Sequence, residues 1–245
     1  MQKTTLDNLP RELVAYQEGV LLLIEKPLNW TSFDVVNRIR VALCKYFGIK
    51  KLKVGHAGTL DPLATGLLII CIGKFTKRID EIQAQEKRYS GIIRVGESTP
   101  TYDLESEIDK IHPIDHVTPI MIEQVRKQFV GEIMQLPPIF SAIKKDGKRA
   151  YELARKGINA GLEARPIVIH DLKFDDTSWP DLFFEVTCSK GTYIRSLAHD
   201  VGVALDSGAH LKSLHRAGIG EYDNKDAIRL EDFLEVFGKR KVAIQ

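Results

Sequence analysis

Hydrophobic and polar positions divide the first hundred residues into short buried stretches and amphipathic ones. GVLLLIEKP (19–27) is an apolar run closed by Pro27 and reads as a buried strand. TSFDVVNRIRVALCKYFG (31–48) repeats its apolar residues at helical spacing, with Val36, Ile39, Leu43 and Tyr46 on one face. Thr31 or Ser32 can cap that helix, and Gly48 stands where it should stop. LKVGHAGTLDPLATGLLIICIG (52–73) combines a short strand, a glycine-rich loop and a strand apolar on both faces. KFTKRIDEIQAQ (74–85) suits a helix with Phe75, Ile79 and Ile82 inward, and KRYSGIIRVGE (87–97) alternates as a strand does.

Residues 97–117 break this pattern and read as a long acidic connection, a length typical of functional loops. PIMIEQVRKQFVG (119–131) is helical again, IFSAIKK and the residues after Asp146-Gly147 flank a turn, and RAYELARKG (149–157) is expected to be a short basic helix. ARPIVIHDLKFDD (164–176) and DLFFEVTCSKG (181–191) are two strands separated by the turn around Trp179-Pro180. TYIRSLAHDVGVAL (192–205) starts a helix directly after Gly191, and a last strand and helix run to Lys239. No repeat, low-complexity tract or linker interrupts the chain, so residues 1–245 are expected to form a single domain with its core at about 19–220. Strands joined by hairpins, with helices inserted at intervals, predict an α+β domain on a mixed, mostly antiparallel sheet.

The 245 residues are 44% hydrophobic, enough for a substantial core. The longest apolar run, Leu67 to Ile72, is far short of the roughly 20 residues that span a bilayer. The N-terminus has no cationic stretch followed by an apolar block, so a cytoplasmic protein without membrane contact is expected. Cys44, Cys71 and Cys188 form no CxxC pair and read as buried thiols rather than a disulfide framework or a zinc site. His112 and His116 have metal-like spacing, but Pro113 prevents the helix that would present both to one ion, and no metal is expected. A net charge of +2 does not diagnose nucleic-acid binding, so only the distribution of charge is informative. Residues 139–157 carry six Lys or Arg against two acids, and residues 97–123 carry seven acids against the single Lys110. Charge alone leaves open a basic binding face and an ordinary solvated helix beside a solvated loop.

The loop GHAGTLDPLATG (55–66) draws attention because Gly55, Gly58 and Gly66 permit tight paths and close approach of a ligand. It lacks the GK[ST] ending of a phosphate loop, and GxGxxG is absent as well. Pro62 restricts Asp61 to extended geometry, which makes a fixed carboxylate. Its residues alone leave two readings, a reactive group and an aspartate that caps a turn.

That segment resembles the catalytic motif of the TruB family of tRNA pseudouridine-55 synthases, and the likeness extends through EKPLNWTSFDVV, KRYSGIIRVGESTPTYDLE, PPIFSAIKKDGKRAYELARKG, ARPIVIHDL and CSKGTYIRSLAHDVG. Together these cover most of residues 19–220. The resemblance implies the pseudouridine synthase fold, a sheet flanked by helices around a central catalytic cleft. It assigns catalysis to Asp61 and contacts with the remodelled T loop to His56. It sets Tyr89 against the target uracil, adds Tyr193, Arg195 and Leu214 to the substrate site, and marks Lys144 as a basic and Asp103 as an acidic position near it. Two positions depart from the family: His215 stands where a second arginine is frequent, and Ala57 replaces a frequent threonine. The chain also stops at Gln245, where many bacterial members continue into an RNA-binding PUA domain, so none is expected here.

The implied reaction breaks the N1–C1′ bond of a uridine, turns the base and rejoins it through C5, so no atoms are gained or lost and no cofactor is required. Asp61 can attack C1′ or remove a C2′ proton, and Arg195, if paired with it, would favour its ionised form. The implied partner is tRNA, through its T stem-loop, with no protein partner and a monomeric enzyme. Two rivals stand beside this reading: a tRNA-folding factor that remodels the T arm without catalysis, and a glycoside hydrolase. The hydrolase would want a second carboxylic acid, which Gly55 to Gly66 does not supply.

Overall fold

The computed structural model describes residues 5–141 and 161–238 and, between them, only the backbone of two short strands at 144–145 and 148–149. The side chain of Lys144, most of the basic stretch 139–157 and the helix expected at 149–157 therefore lie outside the described residues. In chain order the first elements are α1 (Leu13–Glu18), β1 (Val20–Lys26), α2 (Ser32–Phe47), β2 (Val54–His56), β3 (Ala64–Ile72), α3 (Ile79–Gln83), β4 (Lys87–Val95), β5 (Glu97–Ser98) and β6 (Lys110–Ile111). They are followed by α4 (Pro119–Phe129), β7 (Gly131–Gln135), β8 (Lys144–Lys145), β9 (Lys148–Arg149), β10 (Arg165–Ser178), β11 (Asp181–Cys188), α5 (Ile194–Ala204), β12 (Ala209–Ile219), β13 (Tyr222–Asp223), β14 (Ile228–Arg229) and α6 (Leu230–Phe237).

The chain divides into two compact units, residues 1–87 with 215–245, and residues 88–214. In the first, β14, β1 and β3 lie side by side, β1 parallel to β14 and antiparallel to β3. The period of two decides where each side chain goes. Val20, Leu22 and Ile24 of β1 join Leu68, Ile70 and Ile72 of β3 in a core under α2 and α6, whereas Leu21, Leu23, Leu67, Ile69 and Cys71 form a second core on the opposite face. The helix α2 forms as its pattern predicts. Thr31 completes a capping box with Asp34, Gly48 ends the helix in the left-handed conformation (φ 67°), and Val35, Val36, Ile39, Ala42 and Leu43 are buried. Tyr46, expected on the inner face, is only partly buried there.

In the second unit β4, β11, β10 and β7 are neighbours, and the β10–β11 and β7–β10 pairs are antiparallel. One core, including Ile93, Ile169, Leu172, Phe184, Leu197 and Val201, lies under α4 and α5. The α+β expectation holds in both units. Three details differ from the sequence reading. The stretch at 74–85 begins as a 3-10 turn before α3, a short helix α1 precedes β1, and Gly131–Gln135 forms an unexpected strand. The acidic connection is also more ordered than its composition suggests, because β5 pairs β6 and Asp103 bridges Leu211.

Candidate active site

Asp61 lies half-buried in the loop between β2 and β3, and the backbone on both sides of it is held by side chains from elsewhere in the first unit. Ala57 donates its N–H to Ile69 (2.9 Å). The guanidinium of Arg216 donates to the carbonyl oxygens of Gly58 (3.0 Å), Thr59 (3.4 Å) and Leu67 (2.7 Å). The Ser32 hydroxyl both accepts from the Leu60 N–H (2.8 Å) and donates to the Leu60 carbonyl (3.1 Å). The Pro62 carbonyl accepts from the Asn29 N–H (2.9 Å) and from the Lys26 ammonium (3.2 Å). With Leu60 buried and the peptide units on either side of it bonded, the Asp61 backbone is held in place by its surroundings.

Two of these supports escaped the sequence reading. Lys26 closes a strand and Arg216 lies in one, and both are buried to within 1%. Lys26 also donates to Pro27 (2.9 Å) and Trp30 (2.6 Å), so its ammonium is spent on carbonyls at the strand end. Burial lowers its pKa to about 8, against the opposing pull of the Asp61 charge. The available signal for Arg216 was its alternation with Leu214 and Gly218, which puts it on one face of a strand. Gly66 explains why the loop closes so tightly. It adopts φ 99°, and a Cβ there would sit 2.4 Å from the Arg216 carbonyl oxygen.

His56 ends β2, and its Nδ1 is buried with no hydrogen-bond partner among the described residues. Burial and the nearby Arg216 charge hold its pKa below the ordinary histidine value, which keeps the ring neutral at pH 7. At the two positions that depart from the family pattern, His215 meets the Thr65 hydroxyl at 3.0 Å through Nδ1, and Ala57 is fully buried.

Tyr89, Asp103, Tyr193, Arg195 and Leu214 all belong to the second unit. Arg195 is 5% exposed, not a surface residue at a helix start. Its Nε lies 3.6 Å from the Asp103 carboxylate, and its other nitrogens donate to the carbonyl oxygens of Thr101 (3.3 Å) and Phe140 (3.0 Å). Asp103 is itself held in place. Its carbonyl accepts from the Thr99 and Thr101 hydroxyls (2.7 and 3.1 Å), and its carboxylate accepts from the Glu105 N–H (3.0 Å). The preceding Tyr102 takes a left-handed φ of 63° and stacks its ring on His199 at 4.0 Å. Tyr193 caps α5 with its backbone locked to buried Gln135 through two bonds (2.8 and 3.0 Å), and the Arg165 guanidinium lies 5.1 Å over its ring. Tyr89 and Leu214 are partly buried against the core of this unit. Gln135 and Tyr102 were not singled out from sequence, since neither residue type is unusual in a strand end or an acidic loop.

Among the described residues no three His, Cys, Asp or Glu side chains converge as a metal site. His112 instead meets the Ser98 hydroxyl at 3.1 Å and His116 the Leu205 carbonyl at 3.0 Å. No helix among the described residues is long and apolar enough to cross a membrane.

Comparison with known proteins gives two family matches. Residues 45–194 match the N-terminal domain of the TruB family pseudouridylate synthases, and residues 195–243 match a tRNA pseudouridylate synthase B C-terminal domain. The chain is 54% identical over 221 residues to the tRNA pseudouridine synthase B of Flavobacterium johnsoniae, covering 90% of this chain and 96% of the relative. It is 52% identical over 220 residues to that of Parabacteroides distasonis, covering 89% and 94%. Among solved structures, a chain from a Cbf5-Nop10-Gar1 complex is similar with a TM-score of 0.68 and 27% identity. The match takes in 97% of this chain and 61% of that one, so the present chain spans about three fifths of its length.

Proposed function

From the premise that this chain belongs to the TruB family of pseudouridylate synthases and carries the pseudouridine synthase fold, we propose that it isomerises uridine 55 in the T loop of tRNA to pseudouridine, with Asp61 as the catalytic carboxylate. The observation that carries this reading is the backbone clamp on the GTLDP loop. Arg216, Ser32, Lys26 and Asn29 bond the peptides on both sides of Asp61, which pre-pays the ordering of a reacting group.

The chemistry suits a carboxylate in that setting. Asp61 acts at the ribose, as nucleophile on C1′ or as base at C2′, and the N1–C1′ bond breaks. The freed uracil turns, C5 bonds to C1′, and the C5 proton leaves to a base or water near Tyr89 while N1 takes up a proton. A uridine within a folded loop must first be flipped out at a cost of a few kcal/mol, of which stacking on Tyr89 returns about 1–3 kcal/mol. His56, neutral and with an unmet buried nitrogen, suits a contact with the remodelled T loop. Arg195, held by Asp103, together with Tyr193 and Leu214, completes the substrate-binding set, and Lys144 adds a phosphate contact. The protein works as a monomer on the T stem-loop in the cytoplasm.

Incubation with unmodified tRNA followed by carbodiimide mapping tests this. A single new stop at position 55 and an unchanged tRNA mass support the reading, and released uracil would refute it in favour of hydrolysis. Asp61→Asn is expected to abolish product while tRNA binding stays within a small factor of the parent protein. Turnover by that variant equal to the parent's would refute the assignment of catalysis to Asp61, whereas a parent that binds tRNA but forms no product would leave a T-arm folding factor as the better description.

A further inference from the structure

We infer that the outer face of α2 and the loop after it form a second RNA-binding surface, which grips the phosphate backbone of the tRNA substrate outside its T stem-loop. Between Ser32 and Lys53 the chain carries six cations, Arg38, Arg40, Lys45, Lys50, Lys51 and Lys53, against the single acid Asp34. All but Arg40 are exposed. Elsewhere in the same unit several cations have acidic partners: Lys74 meets Glu18 at 2.6 Å, Arg78 meets Glu81 at 2.7 Å and Arg229 meets Asp232 at 2.7 Å. None of the six has a carboxylate within ion-pair distance among the described residues. Asp34 does not neutralise them, because its carboxylate is turned back onto the Thr31 N–H (3.0 Å) and hydroxyl (2.6 Å). A chain with a net charge of only +2 has thus gathered an unneutralised +5 on one stretch.

The rest of this face suits RNA better than it suits a purely ionic contact. Phe33, Asn37, Val41 and Lys45 follow one another at four-residue spacing along the solvent side of α2, with Phe33 64% exposed. A groove of about 320 Å³ beside them is lined by Asn29, Trp30, Asp34, Asn37, Arg38 and Val41. An aromatic ring, amides and a guanidinium beside a run of lysines are what a base and its phosphates require together. The surface is also tied to the loop of Asp61. Lys53 leads directly into β2 and His56, and Asn29 at the groove donates its N–H to Pro62 at 2.9 Å. An RNA engaged at Asp61 therefore has this face as its neighbour. Uncompensated lysines would attract its backbone with strong salt dependence and little sequence preference.

This rests on the proposed tRNA substrate, and the test separates the two. The quadruple variant Arg38→Gln, Lys45→Gln, Lys50→Gln, Lys51→Gln alters exposed side chains only. Its kinetics and its direct RNA binding are compared with the parent's on full-length unmodified tRNA and on an isolated T stem-loop hairpin across a salt series. Expected are a rise of about tenfold in KM and Kd for full-length tRNA, and a salt slope reduced by about 2–3. The kcat on both RNAs and the KM on the hairpin should stay unchanged. Unaltered affinity and slope for full-length tRNA would overturn the proposal, leaving the patch to an acidic protein. Equal losses on both RNAs would also overturn it, since the contact would then lie within the T stem-loop. A parent protein inactive on both RNAs would defeat the tRNA-modification reading, while the binding comparison would still decide this surface.

Discussion

The guanidinium of Arg216 donates to the carbonyl oxygen of Gly58 at 3.0 Å from a site where the arginine is 1% exposed. With the bonds to Thr59 and Leu67, its charge is solvated by backbone dipoles of the loop that carries Asp61. Only a planar fork reaches these divergent carbonyls at once. Arg216→Lys keeps the charge but not the fork. It is expected to lower kcat on tRNA by about 100-fold, the effect of a reacting group displaced by an ångström or so, with little change in KM. Arg216→Met strands buried carbonyls and should destabilise the protein by about 3 kcal/mol or more in urea unfolding.

Gly66 and Gly48 both have positive φ, yet their surroundings differ. A Cβ at Gly66 would lie 2.4 Å from the Arg216 carbonyl oxygen and 2.7 Å from its nitrogen, whereas one at Gly48 meets nothing within 4 Å. Gly48→Ala should cost about 1 kcal/mol, the conformational penalty alone. Gly66→Ala must also push the backbones of adjacent strands away from each other, and thermal unfolding should show at least twice that loss. Equal losses at the two sites would contradict the packing described.

Asp103 and Arg195 form an ion pair in which both side chains are about 5% exposed. Asp103→Asn removes this carboxylate from beside a buried guanidinium and is expected to cost about 3–5 kcal/mol, read by denaturant unfolding. Tyr102→Phe should be tolerated, since the stack on His199 needs only the ring, while Tyr102→Ala should lower stability through loss of that contact.

Asp200 carries a carboxyl that burial pushes up to about 6 from an ordinary 3.8. Between those values the folded chain holds more protons than the unfolded one, so the stability this group contributes at low pH is lost as pH rises toward 6 and beyond. Asp200→Asn removes the cost of ionising it. The variant should be more stable than the parent by about 1–3 kcal/mol at pH 7 and nearly equal to it at pH 4, as melting temperatures at the two pH values would reveal.

Much of the fold was legible in the chain. Helical spacing located α2 and period-2 alternation marked β4 and β11, each of which buries one face, while β1 and β3 were located as unbroken apolar runs because both of their faces are buried. The capping box at Thr31 and the stop at Gly48 followed from local chemistry. Gly131–Gln135 was missed as a strand because its sequence, GEIMQ, has little apolar alternation and it forms by pairing with β10. The 97–117 connection gave no periodic signal because its order comes from hydroxyl-to-backbone bonds and short bridges.

For the candidate site, the amino-acid order by itself determined the GTLDP loop, the restriction that Pro62 imposes on Asp61, and the family likeness that makes Asp61 the residue to test. Those properties are local, held by residues adjacent in the chain or by a recognisable string of them. Only the tertiary structure decided that Lys26 and Arg216 turn inward to hold that loop, that Arg195 is buried against Asp103, and that the cations of α2 stand without acids. A lysine or arginine reads as a surface residue in sequence, since burying its charge is costly. Whether enough carbonyls converge to offset that cost depends on residues up to 158 positions away.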